Sequence, residues 1–353
     1  MNQALHDLQR DTGASFTESL PVPASFGNDA IAIAAARTGV ALCDRSHWGR
    51  FAITDAHRQT FLHNQSTNAI QSLSPGQGCD TVFVTSTART LDLATVYVAE
   101  SAVRVVVSPN RRIFVRDWLD RYIFFGDKVK VEDITDQTAM FSLIGPASAD
   151  LLKAWETPLA LDAAYASHAL MAIAGCPVQV AVGEGLAIAG YTLIMAAEHA
   201  GTVWQALTGA GAVPLGDRAW EHLRIEQGRP VPDQELTEEF NAVEACLWHA
   251  ISINKGCYIG QETIARLDTY KGVKQQLWGI RFTSDCPADL TVPTPITLEQ
   301  DKVGVLTSLT TTAAGTFGLG YVRTKVAQAG MTVQIGAAIG ELVEVPFGQR
   351  DRC

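Results

Sequence analysis

An eight-residue stretch near position 260 brings together a cation, a thiol, an aromatic ring and an amide–carboxylate pair. Its residues are Lys255, Gly256, Cys257, Tyr258, Ile259, Gly260, Gln261 and Glu262. A cysteine beside a lysine and just before a helix start is in a setting that favours the thiolate, which is the nucleophilic and metal-binding form. The stretch therefore predicts a functional thiol at Cys257, with Lys255 as its electrostatic support. The alternatives are a tight turn with a packed, structural cysteine and, for Lys255, a solvated surface lysine.

The residues around this thiol predict the elements that position it. Gln261 to Leu267 has the character of the first turns of a helix, and Glu262 suits the positive N-terminal end of the helix dipole. Gly256 and Gly260 permit backbone angles or close approaches that a side chain would block. We therefore expect a turn that leads directly into a helix.

A second polar group, Asp44 and His47, precedes the strand-like segment Phe51-Ala52-Ile53. An acid and an imidazole this close in sequence could form a catalytic pair. Equally, short polar side chains in a loop commonly satisfy the loop's own backbone groups. The sequence leaves both interpretations open.

Composition bounds the class of protein. The chain has 353 residues, of which 47% are hydrophobic and 18% charged, and its net charge is −10. These values predict two or three globular domains, and the negative charge argues against a nucleic acid or an anionic membrane as the main partner. The seven cysteines are scattered without a CxxC pair, so they predict neither a disulfide framework nor a metal site and indicate a reducing compartment. With no signal-peptide pattern and no apolar run of membrane-spanning length, we predict a cytoplasmic protein.

The pattern of elements predicts an α+β fold. Strand-like segments between 81 and 107 have the β-branched content of neighbouring antiparallel strands, and Arg111 to Phe125 has the spacing of an amphipathic helix. The stretch Pro232 to Glu239 has the composition of an acidic loop. From Leu277 onward, five short strand-like pieces alternate with turns rich in Gly, Pro and Thr. We therefore expect a C-terminal antiparallel β-barrel or sandwich.

With these segments in view, the chain resembles the YgfZ-type folate-binding proteins. The stretch 255–262 is similar to the signature of these proteins, which are relatives of the glycine-cleavage T-protein (aminomethyltransferase) and support the assembly or repair of iron–sulfur clusters. Gly39 to Gly49 resembles the family's Asp-x-Ser-His-x-Gly segment, and Leu223 to Gly228 resembles its Leu-Arg-x-Glu-x-Gly helix end. The likeness covers most of the chain.

The resemblance implies a ring of three domains, with tetrahydrofolate or a derivative in the central opening. The folate-binding module would span residues 1–273. It would consist of two interlaced α+β halves, approximately 1–48 with 138–238 and 49–137 with 239–273. The antiparallel β-barrel would span 274–353.

A folate site calls for apolar and aromatic walls, a carboxylate for the pterin N–H groups and a cation for the anionic glutamate tail. By the resemblance, Glu226 would supply the carboxylate and Arg224 the cation, although a local surface salt bridge is the alternative. The other members of the predicted folate-binding set are Asp92, Tyr258, Gln261 and Glu262. For Asp92 the alternative is a strand residue that points to solvent.

Three departures from the T-protein pattern bear on the chemistry. Leu93 replaces one carboxylate of an acidic pair, Thr192 stands at the place of a folate-contacting glutamate, and Trp220 stands at that of an arginine. Loss of a general acid or base typically lowers a rate about 10²–10⁴-fold. The sequence therefore disfavours aminomethyl transfer.

The leading hypothesis is a folate-dependent accessory protein for iron–sulfur cluster enzymes, with folate and iron–sulfur client proteins as its partners. One alternative is a tetrahydrofolate-dependent enzyme of the aminomethyltransferase type. The other is a non-catalytic folate-binding scaffold, in which the 255–262 stretch only builds a turn.

Overall fold

The computed structural model describes residues 3–156, 158–270, 272–287, 289–312 and 315–350. The α-helices of these ranges are α1 (Gln3–Asp11), α2 (Asp29–Thr38), α3 (Arg58–Gln65), α4 (Arg112–Asp120), α5 (Ser148–Leu152), α6 (Ala200–Gly209), α7 (Asp217–Gln227) and α8 (Gln261–Tyr270). The strands are β1 (Ser15–Thr17), β2 (Leu20–Ser25), β3 (Ala41–Asp44), β4 (Gly49–Thr54), β5 (Gly78–Val84), β6 (Thr90–Val98), β7 (Ala102–Val107), β8 (Lys130–Asp133), β9 (Thr138–Ile144), β10 (His168–Ile173), β11 (Cys176–Val182), β12 (Gly190–Ala196), β13 (Val213–Leu215), β14 (Gln275–Phe282), β15 (Thr294–Leu298), β16 (Asp301–Thr312), β17 (Gly315–Arg323), β18 (Thr332–Ile335) and β19 (Ala338–Val343). None of the helices in these ranges is long and apolar enough to cross a membrane.

Contacts divide the chain into two compact units. The first unit is Met1–Leu62, Ile70–Asp80 and Ala94–Glu221, and the second is His63–Ala69, Thr81–Leu93 and His222–Cys353. The domain boundaries inferred from the resemblance remain a prediction.

The first unit is built on a six-stranded sheet in the order β10-β11-β12-β9-β3-β13. Its neighbouring strands are antiparallel except for β13, which runs parallel to β3. Helix α6 contributes Trp204 to the core, where its ring centroid lies 5.3 Å from that of Phe141 and 5.9 Å from that of Phe26. Strand β3 ends at Asp44, so the sheet positions the polar turn that carries Asp44 and His47.

A second sheet has the order β5-β6-β7-β4-β8. Its strand β6 carries Asp92 and Leu93, and eight of its nine residues are buried. Near-continuous burial of this kind indicates a strand that is covered on both faces.

The barrel of the second unit confirms the predicted C-terminal architecture. Six strands close in the order β14-β17-β16-β15-β18-β19, and β19 pairs again with β14. The sequence pattern indicated five of these strands and missed β15, whose segment contains Pro295, a residue that is uncommon within strands. Pro295 pairs with Val305 of β16, whereas β18 pairs with β15 only at Ile296 and Thr297. The missing N–H group of Pro295 therefore interrupts no pairing with β18.

One predicted element is shorter than expected. The amphipathic segment Arg111 to Phe125 forms α4 only as far as Asp120. Beyond it, the N–H of Ile123 donates to the carbonyl of Asp120, the Asp127 carboxylate accepts from the N–H of Phe124, and Gly126 has φ +99°. These turn interactions replace the last helical turns.

Candidate functional site

The 255–262 stretch forms the predicted turn and leads into α8, which starts at Gln261 as expected. Every residue that the sequence predicted for the site (Cys257, Lys255, Asp92, Arg224, Glu226, Tyr258, Gln261 and Glu262) belongs to the second unit. Their surroundings can therefore be compared within one compact body.

The Lys255 side chain clamps this turn to the segment 63–68. Its buried ammonium donates to the carbonyl oxygens of His63, Ser66 and Asn68, the last two at 2.6 and 2.8 Å. Nζ also lies 4.7 Å from the centroid of the Tyr258 ring, which is within cation–π range. An ammonium has three N–H donors, and all three have backbone partners here. The ammonium of Lys255 therefore has a structural role, and Lys255 is not a solvated lysine. Its role as electrostatic support for Cys257 stays a prediction.

The two glycines of the turn differ in their surroundings. Gly260 has φ +83°, and a Cβ there would lie 2.9 Å from both the carbonyl oxygen of Thr85 and Cγ2 of Val84. Gly260 therefore has the left-handed angle and the close approach that only glycine accommodates. At Gly256 a Cβ would meet nothing within 4 Å, so the expected close approach at Gly256 is wrong.

The Cys257 side chain is exposed, so the alternative of a packed cysteine is wrong, whereas Cys43, Cys176 and Cys246 are buried. Cys353 lies outside the described residues. The thiol of Cys257 therefore sits on a turn that is fixed on both sides, by the Lys255 clamp before it and by Gly260 after it. This arrangement presents a soft nucleophile at a defined place.

Three neighbours of Cys257 have distinct environments. Tyr258 is buried in a small apolar cluster with Trp248 and Ile264, and burial raises the pKa of its phenol to about 12. Glu262 is exposed at the start of α8, with Oε1 3.9 Å from Nη1 of Arg266. Gln261 is half-buried. The ring of Tyr258 is therefore held by packing, while Glu262 faces solvent.

Asp92 is fully buried on β6, so the alternative of a solvent-pointing strand residue is wrong. The next residue, Leu93, is also buried and packs in an apolar cluster that includes Val82, Ile225 and Phe240. An ionised carboxylate in such surroundings would carry a large desolvation cost. The apolar surroundings therefore suit the leucine at position 93, which the resemblance aligns with the second T-protein acid.

The Arg224 guanidinium is fully buried and is satisfied within the protein. Nη1 lies 3.1 Å from Oε2 of Glu235, and Nη2 donates to the hydroxyl of Ser308 at 2.9 Å. Glu235 also accepts from the hydroxyl of Thr307 at 2.7 Å, and its carbonyl accepts from that of Tyr321 at 2.8 Å. This network joins α7 to the barrel. These donors of Arg224 are engaged with buried protein acceptors, and the role of Arg224 in binding the folate tail stays a prediction.

Glu226 is the partner of a buried histidine. Its Oε1 lies 3.2 Å from Nε2 of His222, and Nδ1 of the same ring lies 3.2 Å from the hydroxyl oxygen of Thr310. The side chain of Glu226 remains 24% exposed. This carboxylate can therefore still meet a ligand at the surface.

Sequence reasoning missed two partners of these cations. Glu235 lies in the stretch that had the composition of an acidic loop, yet it is fully buried. The acceptors of Lys255 are backbone carbonyls of segment 63–68, nearly two hundred residues earlier in the chain. Every residue has such a carbonyl, so the sequence does not indicate which ones accept these bonds. A strongly apolar neighbour such as Leu236, also fully buried, is the one hint that the acidic segment turns inward.

Only some of the residues predicted to bind tetrahydrofolate have side chains that can contact it. Asp92 is fully buried, and Glu226 keeps an exposed edge. Arg224, the cation predicted for the glutamate tail, pairs with Glu235, and the ammonium of Lys255, predicted to support the thiol, bonds to backbone carbonyls. An anionic tail would therefore need a cation other than these two.

Comparison with known proteins places the chain in a family. The sequence model of the GCVT N-terminal domain matches residues 5–255. The protein named "Putative transferase At1g60990, chloroplastic" from Arabidopsis thaliana is 45% identical over 326 residues, which cover 92% of this chain and 74% of that protein. An aminomethyltransferase from Chloroherpeton thalassium is 27% identical over 99% of both chains. The crystal structure of glycine cleavage system aminomethyltransferase T from Bartonella henselae has the same fold, with a TM-score of 0.85 over 98% of both chains at 19% identity. The chain therefore belongs to the GCVT N-terminal domain family and is a relative of the glycine-cleavage aminomethyltransferase, the T-protein.

Proposed function

We propose that this chain is a folate-binding accessory protein of the YgfZ type, which acts through Cys257 in the assembly or repair of iron–sulfur clusters. Proteins of the GCVT family use tetrahydrofolate, and the 255–262 signature supports the finer assignment. The proposed partners are folate and iron–sulfur client proteins. A cytoplasmic location stays a prediction, because the name of the Arabidopsis relative describes it as chloroplastic.

The single observation that carries the proposal is the exposed thiol of Cys257, on a turn that Lys255 and Gly260 hold in place. A thiolate is a soft ligand and a good nucleophile, so it suits contact with iron, with a sulfur species or with another thiol. Folate, when bound, would supply a flat heterocycle and a carrier of one-carbon groups. Within this chain, Asp92 and Glu226 are the carboxylates that we propose for its recognition, and Tyr258 supports the turn.

Aminomethyl transfer is the second candidate, because relatives named aminomethyltransferase align along nearly the whole chain. The apolar surroundings of Leu93 argue against it, since the position of one T-protein acid is packed. The enzyme hypothesis predicts that the purified protein converts an aminomethyl donor and tetrahydrofolate into methylene-tetrahydrofolate, with release of ammonia and of the protonated donor. Absence of such turnover, with folate binding intact, would favour the accessory role.

The test is complementation in cells that lack this protein. We expect Cys257→Ala and Cys257→Ser to fail to restore the activity of a [4Fe–4S] enzyme, whereas the purified variants bind tetrahydrofolate as tightly as the wild type. Cys286→Ala is the matched control, because Cys286 is a partly exposed cysteine of the barrel region, and it should restore activity. Full restoration by Cys257→Ala would instead support the scaffold hypothesis.

A labelling experiment tests the exposure on which the proposal depends. Cys257 should react with an alkylating reagent faster than Cys246 or Cys176, both of which are buried. The rate at each site can be followed by peptide mass spectrometry. Equal or slower labelling at Cys257 would contradict the proposal.

A further inference from the structure

One buried threonine, Thr67, lies in the middle of the segment that binds Lys255. The segment 63–69 belongs to the second unit, although the chain before and after it belongs to the first. Thr67 is fully buried, and none of the residues that the sequence predicted for a site lies in this segment. Its two neighbours, Ser66 and Asn68, provide carbonyl oxygens that accept from the ammonium of Lys255. The conformation at Thr67 therefore decides where these two acceptors lie.

The hydroxyl group of Thr67 bonds to two other backbone segments at once. Oγ1 accepts from the N–H of Val82, in β5, at 2.9 Å and donates to the carbonyl of Ala250 at 2.7 Å. The backbone of Thr67 bonds to the same two segments, because its N–H donates to the carbonyl of Val82 at 3.2 Å and its carbonyl accepts from the N–H of Ser252 at 3.0 Å. These four hydrogen bonds tie the segment 63–69 both to β5 and to the segment 248–252.

The first connection between Thr67 and Cys257 runs through Lys255. All three N–H donors of this ammonium go to the carbonyls of His63, Ser66 and Asn68. Three acceptors can meet one ammonium only while the segment that carries them keeps a single conformation. The bonds of Thr67 hold the middle of that segment, and Lys255 lies two residues before Cys257. The turn therefore depends on the Thr67 hydroxyl, although this hydroxyl does not touch the turn.

The second connection runs through the segment 248–252. The carbonyl that accepts the Thr67 hydroxyl belongs to Ala250, two residues after Trp248. Trp248 packs with Tyr258 and Ile264 in one apolar cluster. Tyr258 is the residue next to Cys257. A shift of the segment 248–252 would therefore move the ring against which Tyr258 packs.

We propose that Thr67 is a positioning residue for the thiol of Cys257. Its hydroxyl orders the carbonyls that bind Lys255 and the segment that packs against Tyr258, so that the turn keeps one conformation. Without the hydroxyl, the N–H of Val82 and the carbonyl of Ala250 lose a buried partner, and such a loss favours local opening. The use of the thiol rests on the proposed function, whereas its positioning can be measured on the purified protein.

The experiment compares Thr67→Val, which keeps the shape and removes the hydroxyl, with Thr67→Ser, which keeps the hydroxyl. Hydrogen exchange of the full chain is followed by mass spectrometry on the peptide 255–262. This peptide should exchange at least about tenfold faster in the valine variant and within about twofold of the wild type in the serine variant. The ¹⁵N NMR signal of the Lys255 ammonium, which its hydrogen bonds protect from solvent exchange, should be lost in Thr67→Val and kept in Thr67→Ser.

Thr90→Val is the matched control for a general loss of stability. Thr90 is also buried in the second unit, and its hydroxyl lies 3.0 Å from the carbonyl oxygen of Thr237 and 3.3 Å from that of Phe240. Its replacement should speed exchange near residues 237–240 and leave the peptide 255–262 unchanged. Equal acceleration of that peptide by Thr67→Val and Thr90→Val, or no acceleration by Thr67→Val, would overturn the proposal.

A second variant keeps the inference testable if Thr67→Val fails to fold. The buried hydroxyl of Thr81 accepts from the N–H of Asn68 at 3.0 Å. Thr81→Val removes this acceptor and disturbs the same carbonyl groups from another side. It should speed exchange of the peptide 255–262 and weaken the Lys255 signal. Wild-type behaviour of both measurements in this variant would contradict the positioning role.

Complementation separates this inference from the proposed function. Thr67→Val should restore the activity of the [4Fe–4S] enzyme at least about tenfold less well than the wild type, because a displaced reactive group loses its alignment, and Thr67→Ser should restore most of it. Full restoration by Thr67→Val, in cells where Cys257→Ala fails, would refute the positioning role. Full restoration by Cys257→Ala would refute the proposed function instead, and the exchange and NMR results would still decide the role of Thr67.

Discussion

Replacement of Lys255 by methionine tests whether this residue holds the turn or activates the thiol. Methionine keeps most of the apolar stem but removes the ammonium that bonds to three carbonyl groups and lies over the Tyr258 ring. Each charge-assisted hydrogen bond contributes about 1.5–3 kcal/mol, and the cation–π contact adds about 1 kcal/mol. Removal of the ammonium also removes its desolvation cost. We therefore expect the free energy of unfolding to fall by about 3–5 kcal/mol, which is the sum of the hydrogen-bond and cation–π contributions less the desolvation cost.

The assay combines equilibrium urea unfolding with site-resolved alkylation of Cys257. Lys255→Gln is the matched control, because it keeps two N–H donors without the charge, and it should lose about half as much stability. If the clamp is the role of Lys255, the methionine variant labels at Cys257 as fast as the wild type or faster, because the turn is looser. A stability change below about 1 kcal/mol, together with tenfold slower labelling, would refute the clamp and restore the electrostatic role.

Three further predictions concern Gly260, the Arg224–Glu235 pair and His47. Gly260→Ala should destabilise the protein by more than about 1 kcal/mol in urea unfolding, because φ is +83° and the new Cβ meets backbone at 2.9 Å, whereas Gly256→Ala should change stability by less than about 0.5 kcal/mol. Arg224→Met should cost about 3–5 kcal/mol by leaving Glu235 buried and unpaired, and adding Glu235→Gln should recover part of that loss. His47 binds a proton in the unfolded chain near pH 6.5 but in the folded chain only near pH 3. Its contribution to stability is therefore complete above pH 6.5 and is lost as the pH falls. From pH 7 to 4.5, His47→Gln should lose about 2–3 kcal/mol less than the wild type in urea unfolding, and parallel pH curves would contradict this.

Local signals in the sequence predicted the elements that depend on local physics. The start of α8 at Gln261 and the left-handed angle at Gly260 both follow from helix-start and glycine rules that act within a few residues. The barrel was predictable from its short strands and the turns between them, although β15, which contains Pro295, was not among the predicted strands. The early end of α4 depends on turn hydrogen bonds around Gly126, which compete with the amphipathic spacing.

The chemical roles of the cations were not predictable, because their partners are remote in sequence. Lys255 looks the same in sequence whether its ammonium reaches a thiolate, a ligand or three carbonyls of segment 63–68. Arg224 and Glu235 are separated by one helix end and a loop whose acidic composition indicated exposure. Residue type sets which interactions a side chain can make, but burial and long-range packing decide which of them it makes.

The structural contacts of Lys255 and Arg224 bear on the case for Cys257 as the reactive group. A cation that activates a thiol must lie close to the sulfur. The ammonium of Lys255 donates its hydrogen bonds to backbone carbonyls, and these bonds hold the turn that carries Cys257. Arg224 and Glu235 likewise fix α7 against the barrel. The buried charges of Lys255, Arg224 and Glu235 therefore hold the backbone in place, and the thiol of Cys257 remains exposed. Such an arrangement suits a sulfur that must meet an incoming iron, sulfur or thiol group at a fixed position, because accessibility and orientation then limit the encounter.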